Sequence, residues 1–174
     1  MIKKQMRSKD IFCNKIAEIR KALELELYNC ASALALTLPD VCGKVEFPNS
    51  KTKERYKKWF DKYAQSYFVS VATVLPGEHL EKYTWLTANE CYKLRCAVLH
   101  AGDYKVENIE VSLILLHAHK RYGENFNHIV RDSKYIDADV IDLCERLCQA
   151  AEAYYNSIED KTRFDLDEVR IDTW

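Results

Sequence analysis

The sequence predicts a mainly α protein: an antiparallel bundle of about four helices with a small β-hairpin inserted before the last one. Three observations predict it. Apolar residues recur at steps of three or four over long stretches. With only 4 Gly and 3 Pro, the chain holds little material for β-turns. Hydrophobic residues make up 48% and charged residues 30%, a balance that lets a helical bundle bury a core. A length of 174 residues favours one domain. That domain is assigned to residues 1–160, with an acidic, loosely attached tail over 161–174.

The elements follow in order. Phe12, Ile16, Ile19, Leu23, Leu27, Cys30, Leu34 and Leu38 form one apolar stripe on a long first helix closed by Pro39. "LPDVCGKVEFPNS" reads as a loop because it holds both Pro and Gly. "SKTKERYKKWFDKYAQSYF" is a second helix, basic in its first half, with Tyr56, Trp59, Phe60 and Tyr63 as its apolar face. "ATVLPGEHLEKYTWL" reads as an irregular connection around Pro76 and Gly77.

Thr87 and Glu90 in "TANE" are spaced as a capping box, in which each side chain serves the other's backbone amide. They open a third helix that runs to Ala101, with Gly102 placed to end it. From Ile109 the period shortens to two, and "RYGEN" suits a turn. A hairpin is expected there, although the run "LILLH" also fits a helix. Asp137 is the expected N-cap of the last helix, whose stripe is Val140, Leu143, Leu147, Ala151, Tyr154 and Ile158.

Composition narrows the function classes. A net charge of -1 provides no overall field toward nucleic acid, so any RNA contact rests on a local patch. Glu24, Glu26 and Asn29 interrupt the longest apolar stretch, Leu23 to Leu38, so no membrane span is expected. No apolar h-region follows the basic start, so no secretory signal is read there. Seven cysteines, an odd number scattered through helical patterns, read as reduced thiols of a cytoplasmic protein. Four glycines leave no phosphate-cradling loop, so an NTPase is not expected.

No cofactor and no metal are expected. Cys144 and Cys148 lie one helical turn apart, but no second pair follows at zinc spacing, and both sit beside an apolar stripe. His117, His119 and His128 make a conceivable metal cluster only if the hairpin forms. Cys96 and His100, four apart on a helix, can touch as a nucleophile pair but lack an oxyanion hole.

The stretch with the most chemistry is "ECYKLRCAVLHAGD", Glu90 to Asp103. On an ideal α-helix at about 100° per residue, Cys91, Leu94, Val98 and Ala101 share one arc, and Arg95 falls inside it. An arginine in an apolar arc requires a counter-charge or an interface. The ordinary explanation is pairing with a carboxylate elsewhere in the chain. His100 lies about 140° from Arg95 on the same wheel.

Arg95-Cys-Ala-Val-Leu-His100, within a helical domain of this size and followed by a Gly turn, resembles the Arg-x4-6-His signature of the HEPN superfamily. These are the higher eukaryotes and prokaryotes nucleotide-binding domains. The wider "CYKLRCAVLHAGD" is similar to a set of small uncharacterised bacterial and prophage-type members. The resemblance implies a helical bundle, in many members a metal-independent ribonuclease, often a toxin or phage-defence effector. It further implies a homodimer in which two copies of Arg95 and His100 line one cleft, and it allows a cognate antitoxin.

In many HEPN ribonucleases the residue after the arginine is small and polar; here it is Cys96, a weak hydrogen-bonding group. Some HEPN proteins are non-catalytic binding modules, which is the alternative. Four further features stand beside the pair. Lys93 is either a phosphate contact or a solvated lysine, and Asp103 either orients the imidazole or caps the helix. Tyr104 either stacks on a base or packs. The basic run Lys51–Lys58 either guides an RNA backbone or is a solvated helix face.

Overall fold

The computed structural model describes residues 8–73, 80–101, 105–106, 109–114, 129–131 and 135–164. The protein is mainly helical. Helix α1, Ser8–Glu24, buries Phe12, Ile16 and Ile19 as the stripe requires. It then stops. Glu26 takes the left-handed conformation, φ 58°. Its N–H donates to the Leu23 carbonyl at 3.0 Å, and the Leu27 N–H reaches the Ala22 carbonyl at 2.8 Å. These two bonds make a Schellman ending with a glutamate where glycine is usual.

The chain restarts as α2, Tyr28–Ala35, and α3, Leu38–Glu46. The expected single long helix is therefore two, and the expected loop is largely a third. Leu27 and Cys30, expected on the stripe, are exposed because the break resets the helical phase. Pro39 lies in the first turn of α3, where a missing N–H costs nothing.

Helix α4, Thr52–Trp59, continues through a π turn, Phe60–Ala64, and a 3-10 turn, Gln65–Phe68. Tyr56, Trp59 and Phe60 are buried, as their spacing predicts. The connection expected to be irregular holds two antiparallel strands, β1 (Val69–Thr73) and β2 (Leu80–Thr84), in register Val69 with Thr84. Helix α5, Ala88–Cys96, begins on the Thr87–Glu90 capping box. It ends in a second π turn, Ala97–Ala101.

The expected hairpin is replaced by a mixed sheet. Strands β3 (Lys105–Val106), β4 (Ile109–Ile114), β5 (Ile129–Arg131) and β6 (Tyr135–Asp139) lie in the order β3-β4-β6-β5. β4 and β5 do not pair with each other. β6 lies between them, parallel to β4 and antiparallel to β5. Period-two patterning shows that a strand exists; its partner depends on which neighbour buries the shared face. Here Ile136 and Ala138 of β6 are both buried.

Helix α6, Val140–Ser157, is capped by Asp139, not Asp137, which lies inside β6. The Asp139 carboxylate accepts from the Ile141 and Asp142 amides at 2.9 and 3.0 Å. Its apolar stripe is buried as expected at Val140, Leu143, Leu147, Ala151 and Tyr154. α6 packs against α1, α2, α3 and the first π turn, so it runs through the centre of the core. Tyr154 meets Tyr63 at 4.6 Å and Trp59 at 5.7 Å between ring centroids. Arg20 clamps α1 to α6 with a forked pair to Glu152 at 2.6 and 2.8 Å.

The chain stays docked beyond Glu159. Phe164 is buried against Phe12 and Tyr155, so the loose tail expected from that point does not include residues 161–164. Residues 165–174 lie outside the described residues. Among the described residues no helix is long and apolar enough to cross a membrane.

Candidate functional site

The site is built where α3, α4 and α5 meet. α3 packs on α4, and α4 on α5. α5 is anchored at its start: the Thr87 amide donates to Glu90 Oε2 at 2.8 Å, and the Glu90 amide donates to Thr87 Oγ1 at 3.3 Å. Cys91 and Leu94 then drive the buried face of the helix into the core. Tyr56 of α4 fills the seam behind them. Its hydroxyl donates to the Leu36 carbonyl at 3.1 Å. That leaves the Cys91 thiol as donor in the 3.2 Å contact between Cys91 Sγ and the Tyr56 oxygen. Burial pushes the Cys91 thiol up to about 12, so it stays protonated.

Arg95 follows on the same face, and its side chain is only 18% exposed. Asp40 of α3 supplies a counter-charge of the kind its position requires: Arg95 Nη2 stands 3.9 Å from Asp40 Oδ2. The other carboxylate oxygen, Oδ1, accepts from Arg55 Nε of α4 at 2.8 Å. One carboxylate therefore lies between two guanidinium groups.

Gly43 allows this spacing. A Cβ on Gly43 would lie 2.8 Å from the Arg55 carbonyl oxygen, so α3 and α4 approach more closely there than any side chain permits. Cys96 lies 4.0 Å from Arg95 Nη1, and burial followed by a hydrogen bond with Cys96 pushes the Tyr92 phenol above its ordinary value. Tyr92 in turn sets its ring edge-on to Tyr56 at 5.3 Å.

The residues between Arg95 and His100 do not follow the ideal wheel. Ala97–Ala101 form an i→i+5 turn, about one residue wider than an α turn. Positions five apart therefore come closer to one side of the helix than the 140° of an α wheel implies. The His100 side chain lies outside the described residues, as do Asp103 and Tyr104, and His117, His119 and His128.

Lys93 is half-buried on α5, and Lys57 donates to Asn89 Oδ1 at 3.2 Å across the α4–α5 seam. In the basic run, Lys58 pairs with Glu54 at 2.6 Å, while Lys51 and Lys53 are exposed. Cys144 and Cys148 are both buried. Among the described residues no three of His, Cys, Asp or Glu gather to hold a metal ion. A groove of about 360 Å³ between α1 and α6, lined in part by Phe12, Ile16 and Glu152, holds none of the candidate residues.

Asp40 and Arg55 are the site residues that sequence reasoning missed. Asp40 lies in the stretch whose Pro and Gly residues suggest a loop. Pro39 followed at once by an acidic residue was the available signal, since both suit the first turn of a helix. Comparison with protein-family models, curated proteins and solved structures finds no match for this chain.

Proposed function

We propose that the chain is a metal-independent endoribonuclease of HEPN type that acts as a homodimer, as a toxin or phage-defence effector. The observation that carries this reading is the π turn over Ala97–Ala101, which begins two residues after Arg95 and includes position 100. Single π turns inside α-helices are rare and frequent at functional sites. By widening the turn, this one reduces the angle between the two positions. Leu99 adds support for the dimer: it is a large apolar residue, 37% exposed on the motif helix.

The chemistry follows from the residue types. An Arg95 guanidinium takes two non-bridging phosphate oxygens in parallel hydrogen bonds and holds the charge of the pentacoordinate phosphorus. One His100 imidazole removes the proton of the 2′-hydroxyl, whose oxygen attacks the adjacent phosphorus. The P–O5′ bond breaks, and the second His100 copy, as imidazolium, protonates the leaving oxygen. The products are a 2′,3′-cyclic phosphate and a 5′-hydroxyl. Lys93, Asp103 and Tyr104 take supporting roles around the strand. A cognate antitoxin would act by covering this cleft.

The test is an RNA cleavage assay in EDTA with wild type, Arg95→Ala and His100→Ala. Wild type is expected to cleave, and each variant to lose about 100-fold or more while keeping its fold. Cleavage retained by His100→Ala sinks the catalytic assignment. Light scattering that finds only monomer at micromolar concentration removes the composite site. A second reading has a specific observation behind it: the Arg95–Asp40 pair beside Cys96 suits a non-catalytic HEPN module that binds a nucleotide or a partner. On that reading wild type cleaves nothing.

A further inference from the structure

Residues 51–62 hold six cations and two anions, in a chain whose net charge is -1. The two flanks of α4 use those cations differently. On the flank facing α3, Lys58 pairs with Glu54 at 2.6 Å and stands 5.8 Å from the centre of the Phe47 ring, and Lys62 pairs with Glu46 at 2.8 Å. On the flank facing α5, Lys57 donates to the neutral Asn89 Oδ1 at 3.2 Å. Lys53 lies four residues earlier and hence on the same stripe. It is exposed, and it has no ion pair among the described residues. Like charges four apart repel and weaken a helix, so this pair works against α4. Asp61 follows one turn after Lys57, where the Lys57 charge acts on it. The stripe thus has its anion at one end and Lys53 at the other.

The lysine end points toward Arg95. Contacts step in opposite directions along the two helices: Lys57 reaches Asn89, Tyr56 reaches Cys91 and Tyr92, and Arg55 holds Asp40, which stands beside Arg95. Going back along α4 is therefore going forward along α5, toward Arg95 and the π turn. Lys53 lies about 6 Å further in that direction than Lys57. A line of ammonium groups leading to an arginine matches an anion that is itself a line, the backbone of a single nucleic-acid strand.

We infer that Lys53 and Lys57 form a track on which the phosphodiester backbone of single-stranded RNA is led to the Arg95 end of α5. That the anion is RNA rests on the ribonuclease reading; the difference between the flanks does not. The competing explanation is a solvated basic face that attracts any polyanion through its summed charge. The two differ on whether the position of a lysine matters. At 0.15 M salt, charges are screened over about 8 Å. A helix with its side chains is about 10–12 Å across. A strand on the α5 flank therefore responds to Lys53 and Lys57 and not to Lys58, although each Lys→Gln change removes the same charge.

The experiment uses the full chain carrying His100→Ala, so that cleavage does not obscure binding. Fluorescence anisotropy at about 0.15 M salt follows a fluorescein-labelled single-stranded RNA of about 12 nucleotides. A labelled polyglutamate peptide is the second probe, and thermal melts check that each variant is folded.

Lys53→Gln and Lys57→Gln are each expected to weaken RNA binding about threefold, and the double variant about tenfold, with the salt slope reduced by about 0.7 per lysine. Lys58→Gln is expected to change it by less than about 1.5-fold. Equal losses in Lys58→Gln and Lys53→Gln overturn the track, as does RNA affinity unchanged in the double variant. Polyglutamate bound with the same dependence on flank, and RNA not bound, overturns the RNA assignment. Protein that binds RNA through Lys53 and Lys57 but, with His100 restored, cleaves none removes the ribonuclease reading and leaves the track standing. Protein that cleaves RNA while all three lysines prove equivalent does the reverse.

Discussion

The Tyr154 hydroxyl donates to Glu46 Oε2 at 3.1 Å, joining the end of α3 to α6 across 108 residues of sequence. The other carboxylate oxygen accepts from Lys62 Nζ at 2.8 Å and from the Tyr63 hydroxyl at 2.7 Å. Burial raises the carboxyl pKa, but the three hydrogen bonds together outweigh it and hold Glu46 below its ordinary value of 4.5. A depressed carboxylate stabilises the fold fully above that value and loses its contribution as pH falls through the folded pKa. Wild type should therefore lose Tm as the pH falls below about 4.5, and Glu46→Gln should lose less over the same interval. Melts of both proteins in a pH series check this; parallel curves would count against it.

Glu26 holds a backbone conformation that costs an L-residue about 1 kcal/mol and costs glycine nothing. Glu26→Gly should stabilise the protein by up to about 0.5 kcal/mol, after glycine's extra freedom in the unfolded chain is subtracted. Urea unfolding measures it. A loss of stability would mean that the Schellman ending after α1 is not where the chain turns.

Gly43→Ala should do the opposite. Its Cβ would enter at 2.8 Å from a backbone oxygen, which cannot rotate away as a flexible side chain can. Overpacking of this kind costs roughly 1–3 kcal/mol. Because α3 must shift from α4, the Asp40–Arg55 contact should lengthen as well. Chemical denaturation, with the Arg55 side-chain resonances followed by NMR, reports both effects.

The thiols should divide by burial. Cys13 and Cys30 are exposed, whereas Cys42, Cys91, Cys144 and Cys148 are buried. Burial raises the Cys91 and Cys148 pKa values to about 12 and pushes Cys42 and Cys144 further, so almost no thiolate exists near neutral pH. Iodoacetamide followed by mass spectrometry should label Cys13 and Cys30 in the native protein. The four buried thiols should label only in denaturant. Native labelling of Cys148 at the rate of Cys13 contradicts the packing of α6.

Local signals were readable from the sequence. The Thr87–Glu90 box, the stripe of α6 and the aromatic face of α4 depend on residues three or four apart, and all three stand as expected. What could not be read depended on partners distant in sequence or on competition between like residues. Leu27, Cys30 and Leu34 kept an apolar period across a break because no Gly or Pro marked it; a glutamate served instead. Asp137 and Asp139 are equivalent caps by residue type, and strand pairing as far as Asp139 decided between them. The apolar arc around Arg95 calls for a carboxylate, but only the docking of α3 against α4 and α5 brings Asp40 within reach of it.

The π turn after Cys96 changes how a motif should be counted. An Arg-x4-His pattern is written as a number of residues, yet a cleft responds to angle and rise along an axis. The same four intervening residues place their flanking pair differently in an i→i+4 and an i→i+5 turn. Two chains with identical spacing can therefore present different geometry. Conversely, a chain with one residue more or fewer can recover the same geometry by changing its winding. For this protein the number between Arg95 and His100 is meaningful only together with the type of turn that contains it.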